Sequence, residues 1–215
     1  MLPMRTTPPP LPAAAVSRLN TLLASGSRRI LGLVGPPGAG KSTLAEALLA
    51  ACPTGLAQVV PMDGYHLANV ELARLGRRGR KGAPDTFDAA GYAALLQRLR
   101  SQQPGEVIYA PEFRREIEEP IANAIPVFPE AQLLITEGNY LLVDQGPWAS
   151  VRPQLDEVWW VDVDNSLRVQ RLTHRHIQFG REPEAAAAWV QGTDEPNARL
   201  IEQGRARADW VFAWG

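Results

Sequence analysis

The sequence predicts an α/β fold built on a mainly parallel sheet, and three observations carry that prediction. Short apolar runs alternate with helical patterns along the chain. A glycine-rich turn, Gly35-Pro-Pro-Gly-Ala-Gly-Lys-Ser42, separates one such run from a helix. Acidic residues, Asp63, Glu137 and Asp162, stand where three further runs end. In open parallel sheets, ligands gather beyond the carboxyl ends of the strands, so the turn and the acids fall on the same edge.

In chain order, residues 1–12 carry prolines at 3, 8, 9, 10 and 12 and predict a disordered arm. A helix follows over 13–24, with Val16, Leu19, Leu22 and Leu23 at helical spacing and Gly26 as its stop. Residues 29–34 are a buried strand. Residues 42–51 are a helix whose apolar side is Leu44, Ala45, Leu48 and Leu49. Residues 58–62 are a second strand, blemished by Pro61, which removes a ladder donor. The glycine- and charge-rich stretch 64–88 reads as a helix near 67–75 and a loop over 76–86. A helix spans 89–100, a strand 106–110, and a charged excursion 111–123. A strand at 132–136 runs up to Glu137, and another at 157–162 ends in Asp162. Helices over 165–179, 184–191 and 195–204 precede a last strand at 209–213.

Bulk properties exclude several classes. A chain of 215 residues, 45% hydrophobic and 21% charged, suits one compact domain over 13–215, with an acceptor-side insertion at about 64–125 and a lid at about 168–192. A net charge of -1 offers no bulk attraction to nucleic acid or to an anionic membrane. Cys52 is the single cysteine, so neither an internal disulfide nor a thiolate metal cluster forms. No secretory signal pattern and no run of eighteen apolar residues occurs, and the expectation is a cytoplasmic protein with no membrane partner.

The glycine-rich turn matches all the required positions of a phosphate-binding loop. Glycines let successive backbone amides turn inward around phosphate oxygens. The helix behind points its free amides at the same charge. Gly35, Pro36, Pro37, Gly38, Ala39 and Gly40 form the cradle, Lys41 reaches the outer phosphates, Ser42 offers a hydroxyl to magnesium, and Thr43 lies near the inner phosphate. No Asn-Lys dipeptide is present to read guanine, which favours ATP with Mg2+.

A kinase also needs a group that orients the attacking hydroxyl and a group that holds the metal's water shell. Asp63, followed by Gly64 at a sharp turn, is the candidate base. Glu137 is the candidate metal acid. Asp162 and Asp164 are equally explained by metal-bound water and by capping the helix that begins near Ser166. Arg168, Arg171 and Arg175 share one helix face by their spacing, and a lid closing over phosphates would offset their repulsion. His174 and His176 read as packing or hydrogen-bonding groups rather than ligands. Arg74, Arg77, Arg78, Arg80 and Lys81 suit a loop over an anionic or sugar substrate better than a nucleic-acid surface, because no aromatics interleave them. Arg114 and Arg115 suit equally a clamp on a substrate carboxylate or phosphate and surface pairing with Glu116, Glu118 and Glu119. Trp159, Trp160, Trp210 and Trp214 read as packing, and Trp189 as a neighbour of the nucleotide's base.

The ordered set of Gly35–Ser42, Pro61-Met-Asp-Gly-Tyr-His66, Arg80-Lys-Gly-Ala-Pro-Asp-Thr-Phe-Asp88, Glu137-Gly-Asn-Tyr-Leu-Leu142, Arg171 with Arg175-His176, and Asp194-Glu-Pro-Asn197 resembles the phosphoribulokinase, uridine kinase and bacterial pantothenate kinase superfamily. Within it, the chain is most similar to small bacterial nucleoside kinase-like proteins known as fructose-transport-system kinases. The resemblance implies a three-layer α/β/α P-loop NTPase fold with a five-stranded parallel core and a small helical lid. It implies transfer of the γ-phosphoryl of ATP to a small-molecule hydroxyl, with Asp63 as base, Glu137 beside the metal, and Lys41, Arg171 and Arg175 near phosphates. It makes Tyr65, His66, Arg80, Asp88 and Arg114 acceptor contacts and places Asn197 near adenine. Gly64-Tyr65-His66 stands where uridine kinases have Ser-Phe-Tyr, which counts against a nucleoside. The rival reading is a regulatory or assembly ATPase that gives phosphate to water. A homodimer is the expected assembly.

Overall fold

The computed structural model describes residues 10–213. Residues 1–9 and 214–215 lie outside the described residues, and with them most of the expected proline-rich arm and the expected packing of Trp214. The elements are α1 Ala13–Leu23, β1 Arg29–Val34, α2 Lys41–Ala51, β2 Ala57–Val59, α3 Asn69–Arg74, α4 Ala89–Arg100, β3 Ile108–Arg114 and β4 Glu119–Val127. They continue with β5 Leu133–Gly138, β6 Glu157–Asp162, α5 Asn165–Gln178, α6 Pro183–Trp189, α7 Glu195–Glu202 and β7 Trp210–Ala213.

Five strands form one parallel sheet in the order β2-β5-β1-β6-β7. Its strands are apolar on both faces because helices cover both. Ile30 and Val34 of β1 join Leu134, Val158, Trp160 and the inner side of α4 (Tyr92, Leu95, Leu96, Leu99). The alternate residues Leu31 and Leu33 join Leu133, Ile135, Trp159, Val161 and Phe212 against α1 and α2. The period-2 alternation of β1 thus fills two cores at once, and the layers are α/β/α. Trp159 and Trp160 are both buried, and Trp210 meets Trp159 edge-on with centroids 4.7 Å apart.

Several expected details shift. Val16 and Leu49 are exposed rather than part of an inner face, because α1 turns Ala15, Leu19 and Leu22 inward and α2 turns Leu44, Ala45, Ala47 and Leu48 inward. β2 stops at Val59, and the chain then makes a 3₁₀ turn over Met62–Tyr65. The expected short strand and charged excursion over 106–123 are instead an antiparallel hairpin, β3–β4, separate from the main sheet. A two-stranded sheet is all edge, so it tolerates Pro111, Pro120 and Pro126, whose missing donors obscured the pattern. The two last expected helices are joined by a π-helical turn, Val190–Asp194, a form that collects at functional sites.

Candidate active site

The phosphate loop leaves the carboxyl end of the central strand β1 and runs into α2. Gly38 and Gly40 have φ of 84° and 87°, a region open to glycine. Added methyls would also collide. A Cβ on Gly38 would lie 2.8 Å from the Arg168 carbonyl and from Leu172 Cγ, and one on Gly35 would lie 2.9 Å from the Val161 carbonyl. The loop is therefore wedged between β6 and α5. Arg168, 2% exposed, braces it by donating to the Pro37 carbonyl at 3.3 Å and to Asn165 and Glu195.

Lys41 is buried, and its Nζ donates to the Gly35 and Pro36 carbonyls at 2.9 and 3.2 Å and to Asn139 Oδ1 at 2.7 Å. Burial lowers its pKa to about 8, against the pull of Glu137 and Asp63. Ser42 Oγ donates to Glu137 Oε1 at 2.9 Å.

Asp63 sits in the 3₁₀ turn after β2. Gly64 lets β3 pass directly over this turn, since a Cβ there would lie 2.3 Å from the Pro111 carbonyl. Gly138 likewise admits Met62, since an added Cβ there would lie 2.6 Å from Met62 Cβ. Arg115 Nη2 donates to Asp63 Oδ2 at 3.1 Å. His66 Nδ1 lies 2.7 Å from the Asp63 carbonyl, which can only accept, so that nitrogen carries the proton and Nε2 of the neutral ring is an acceptor. Burial holds the His66 pKa below its usual value. The two carboxyls are driven apart. Burial and the charge of Asp63 push Glu137 up. For Asp63 the upward push of burial is outweighed by His66, Arg115, Lys41 and Arg175, which leave it below the usual range.

These groups border one cavity of about 710 Å³. Pro37, Gly38, Gly40, Lys41, Ser42, Thr43, Asp63, His66, Glu137, Arg171 and Arg175 all line it. Gly35 and Pro36 contribute the carbonyls that hold Lys41, and Ala39 is buried behind them. Neither the Arg171 nor the Arg175 side chain has a hydrogen bond or ion pair among the described residues, and the wall is rich in base: seven lysines and arginines against four carboxylates.

Other expected contacts lie elsewhere. Arg80 pairs with Asp85, Arg114 pairs with Glu112 at 2.6 Å, and Asp88 caps α4 by accepting from the Gly91 amide at 2.8 Å. Tyr65 stacks toward Tyr92 with centroids 5.4 Å apart, and Asn197 is buried with Nδ2 3.5 Å from the Gly82 carbonyl. None of these five borders the cavity. Arg78 and Lys81 line it in place of Arg80, and Arg115 in place of Arg114. Period-2 alternation carries Phe113 and then Arg115 to the cavity and turns Glu112 and Arg114 away, a signal lost when the segment is read as an excursion. Asn139, in the Glu137-Gly-Asn-Tyr140 run, also lines the cavity, and no local pattern marks it as a partner of Lys41. Asp162 pairs with Arg205 at 3.0 Å and Asp164 caps α5, accepting from the Ser166 and Leu167 amides. Trp189 borders the cavity beneath Arg181, whose Cζ is 3.8 Å from the ring centroid. His174 does not border the cavity, and His176 Nε2 lies 2.8 Å from Asp194 Oδ2.

A glycine-rich phosphate loop at the end of the middle strand of a parallel five-stranded sheet, layered by helices on both faces, defines a P-loop NTPase fold. No model of a known protein family matches the chain. Individual proteins do match. A candidate fructose transport system kinase from Silicibacter sp. TM1040 is 39% identical, with a TM-score of 0.84 over 94% of this chain and 99% of that one. A candidate uridine kinase of Schizosaccharomyces pombe is 33% identical over 206 residues, 91% of this chain and 87% of that one. The ATP-dependent kinase-like protein notR' of Aspergillus versicolor is 36% identical over 152 residues, 67% of this chain and 88% of that one. The chain belongs to the phosphoribulokinase/uridine kinase family of P-loop kinases. Among the described residues no helix is long and apolar enough to cross a membrane.

Proposed function

We propose that this protein transfers the γ-phosphoryl of ATP to a hydroxyl of a small metabolite such as a sugar, a nucleoside or a pantothenate-like alcohol. The observation that carries this reading is Asp63, an ionised carboxylate that shares one cavity with Lys41 and with the unpaired Arg171 and Arg175. A carboxylate facing the phosphates can orient an acceptor hydroxyl and accept its proton.

In this reading Asp63 orients the hydroxyl. The new O–P bond forms as the bond from the γ-phosphorus to the departing ADP oxygen breaks, and the hydroxyl proton passes to Asp63 and then to water. Its low pKa suits positioning, which dominates phosphoryl transfer, better than strong proton abstraction. Lys41, Arg171 and Arg175 stabilise charge on the transferred group. The segment from α5 to α7 acts as a lid that excludes water.

The residues also fit magnesium. Ser42 Oγ and Glu137 Oε1 are hard oxygen donors already 2.9 Å apart, and no cluster of three or more His, Cys, Asp or Glu exists among the described residues. Two protein donors suit an ion that keeps most of its waters and shares phosphate oxygens. When bound, magnesium neutralises developing charge on the phosphates.

The test is Asp63→Asn, assayed by ADP release and by mass detection of the phosphate ester. Turnover is expected to fall by roughly 10²- to 10⁴-fold with ATP affinity retained. Turnover equal to the parent would remove Asp63 from the reaction, and ADP release with no ester from any acceptor would make the protein an ATPase.

A further inference from the structure

We infer that the acceptor carries an anionic group, a carboxylate or a phosphate, bound between Arg78 and Arg115 a few atoms from the hydroxyl that meets Asp63. The inference rests on the kinase reading above and names the substrate class of that site.

Beyond Asp63 the cavity has its own wall. His66 lies between Phe87 and Phe113, with centroids 4.0 and 4.5 Å apart. Two cations converge on the Phe113 ring from distant parts of the chain: Lys81 Nζ at 5.1 Å from its centroid and Arg115 Cζ at 6.0 Å. Arg78 borders the same cavity.

Pairing separates Arg78 from its neighbours. Arg74 is held by Glu71, and Arg77 and Arg80 share Asp85. None of these three borders the cavity. The Arg78 guanidinium has no hydrogen bond or ion pair among the described residues, although its carbonyl accepts from the Lys81 amide. Lys81 is committed to Asn69 Oδ1 at 2.9 Å and to the Glu118 carbonyl. Arg115 uses one donor on Asp63 and keeps the rest of its fork.

The charges on this wall do not cancel. Three cations face two carboxylates, Asp63 and Glu118, and Asp63 is taken up by the hydroxyl. A neutral sugar or nucleoside would leave Arg78 and the free donors of Arg115 without an anionic partner, whereas an anion accepts from both. The phosphates of ATP do not fill this role, because Lys41, Arg171 and Arg175 already stand around the loop. The 3.1 Å contact between Arg115 and Asp63 also sets scale. A group on the open side of that guanidinium lies only a few carbon atoms from the hydroxyl, which describes a compact hydroxy acid or phosphorylated alcohol.

The experiment has two arms on the full chain. In the first, the enzyme with ATP and magnesium meets glycerate and glycerol 1-phosphate beside neutral glycerol, fructose and uridine, with ester formation read by mass. An anionic alcohol is expected to be the best acceptor, and its identity separates carboxylate from phosphate recognition. Arg78→Gln is expected to raise its KM about tenfold while KM for ATP moves less than twofold, and Arg78→Lys to recover part of the loss. In the second arm, calorimetry measures the same compounds binding to enzyme loaded with magnesium and a non-hydrolysable ATP analogue. Binding of the anions, lost in Arg78→Gln and in Arg115→Gln, is expected. A neutral compound as best acceptor, insensitive to Arg78→Gln, overturns the inference and leaves the kinase reading standing. Absence of anion binding in the second arm overturns it too. Arginine-dependent anion binding with no ester formed supports the subsite and defeats the kinase reading.

Discussion

Lys41 is the residue whose chemistry is most exposed to test. Its ammonium spends its donors on two loop carbonyls and on Asn139, and burial brings its pKa down to about 8 from 10.5. Its folded pKa is depressed, so between those two values the unfolded chain binds more protons than the folded one. Stability of the ligand-free protein is therefore expected to rise with pH across that window, measured by urea unfolding. ATP affinity should move the other way. Phosphates need the charged ammonium, so Kd is expected to increase above pH 8, approaching tenfold per pH unit, by calorimetry from pH 7 to 9.5. A flat affinity profile would mean that Lys41 stays charged or does not meet the phosphates. Neighbouring acids follow the same logic: Asp63 is held ionised by surrounding cations, while Glu137 is pushed toward its neutral form.

At the scale of elements, α5 ties the loop to the segment that follows it. Arg168 is the joint, spanning Pro37, Asn165 and Glu195 with its guanidinium buried. Spacing alone places it on a face with Arg171 and Arg175, but only those two border the cavity. Arg168→Ala would strand Glu195 and open a gap under the loop. It is expected to cost about 3 kcal/mol of unfolding free energy, by urea denaturation, and to weaken ATP binding as well. A loss below about 1 kcal/mol would mean that the pair is not a brace. The β3–β4 hairpin is a second such element. It crosses the Asp63 turn at Gly64 and delivers Phe113 and Arg115 to the cavity.

For the whole molecule, the loop, the Asp63 turn, the hairpin and α5 all meet at one edge of the sheet. ATP with magnesium at a hundred times Kd is expected to stabilise the fold by about 2.7 kcal/mol through mass action, raising Tm by about 5–10 °C. Lys41→Ala should abolish most of that shift in a thermal melt. The same shift in Lys41→Ala would place nucleotide binding elsewhere.

The phosphate loop, the strand-end acids and the alternation of strands and helices were legible because each is local. A glycine spacing, an apolar run and a capping aspartate are properties of a few consecutive residues. Asp63, Glu137, Lys41 and Ser42 could be named from sequence for that reason. Which arginine of a pair or cluster faces the cavity is not local. Arg115 rather than Arg114, and Arg78 and Lys81 rather than Arg80, follow from how the hairpin docks over Asp63 and from where Asp85 and Glu112 sit to claim their neighbours. Sequence determined the phosphate-loop end of this cavity; tertiary structure decided its opposite wall, because a charge cluster is sorted into paired and unpaired members only when distant segments are packed together.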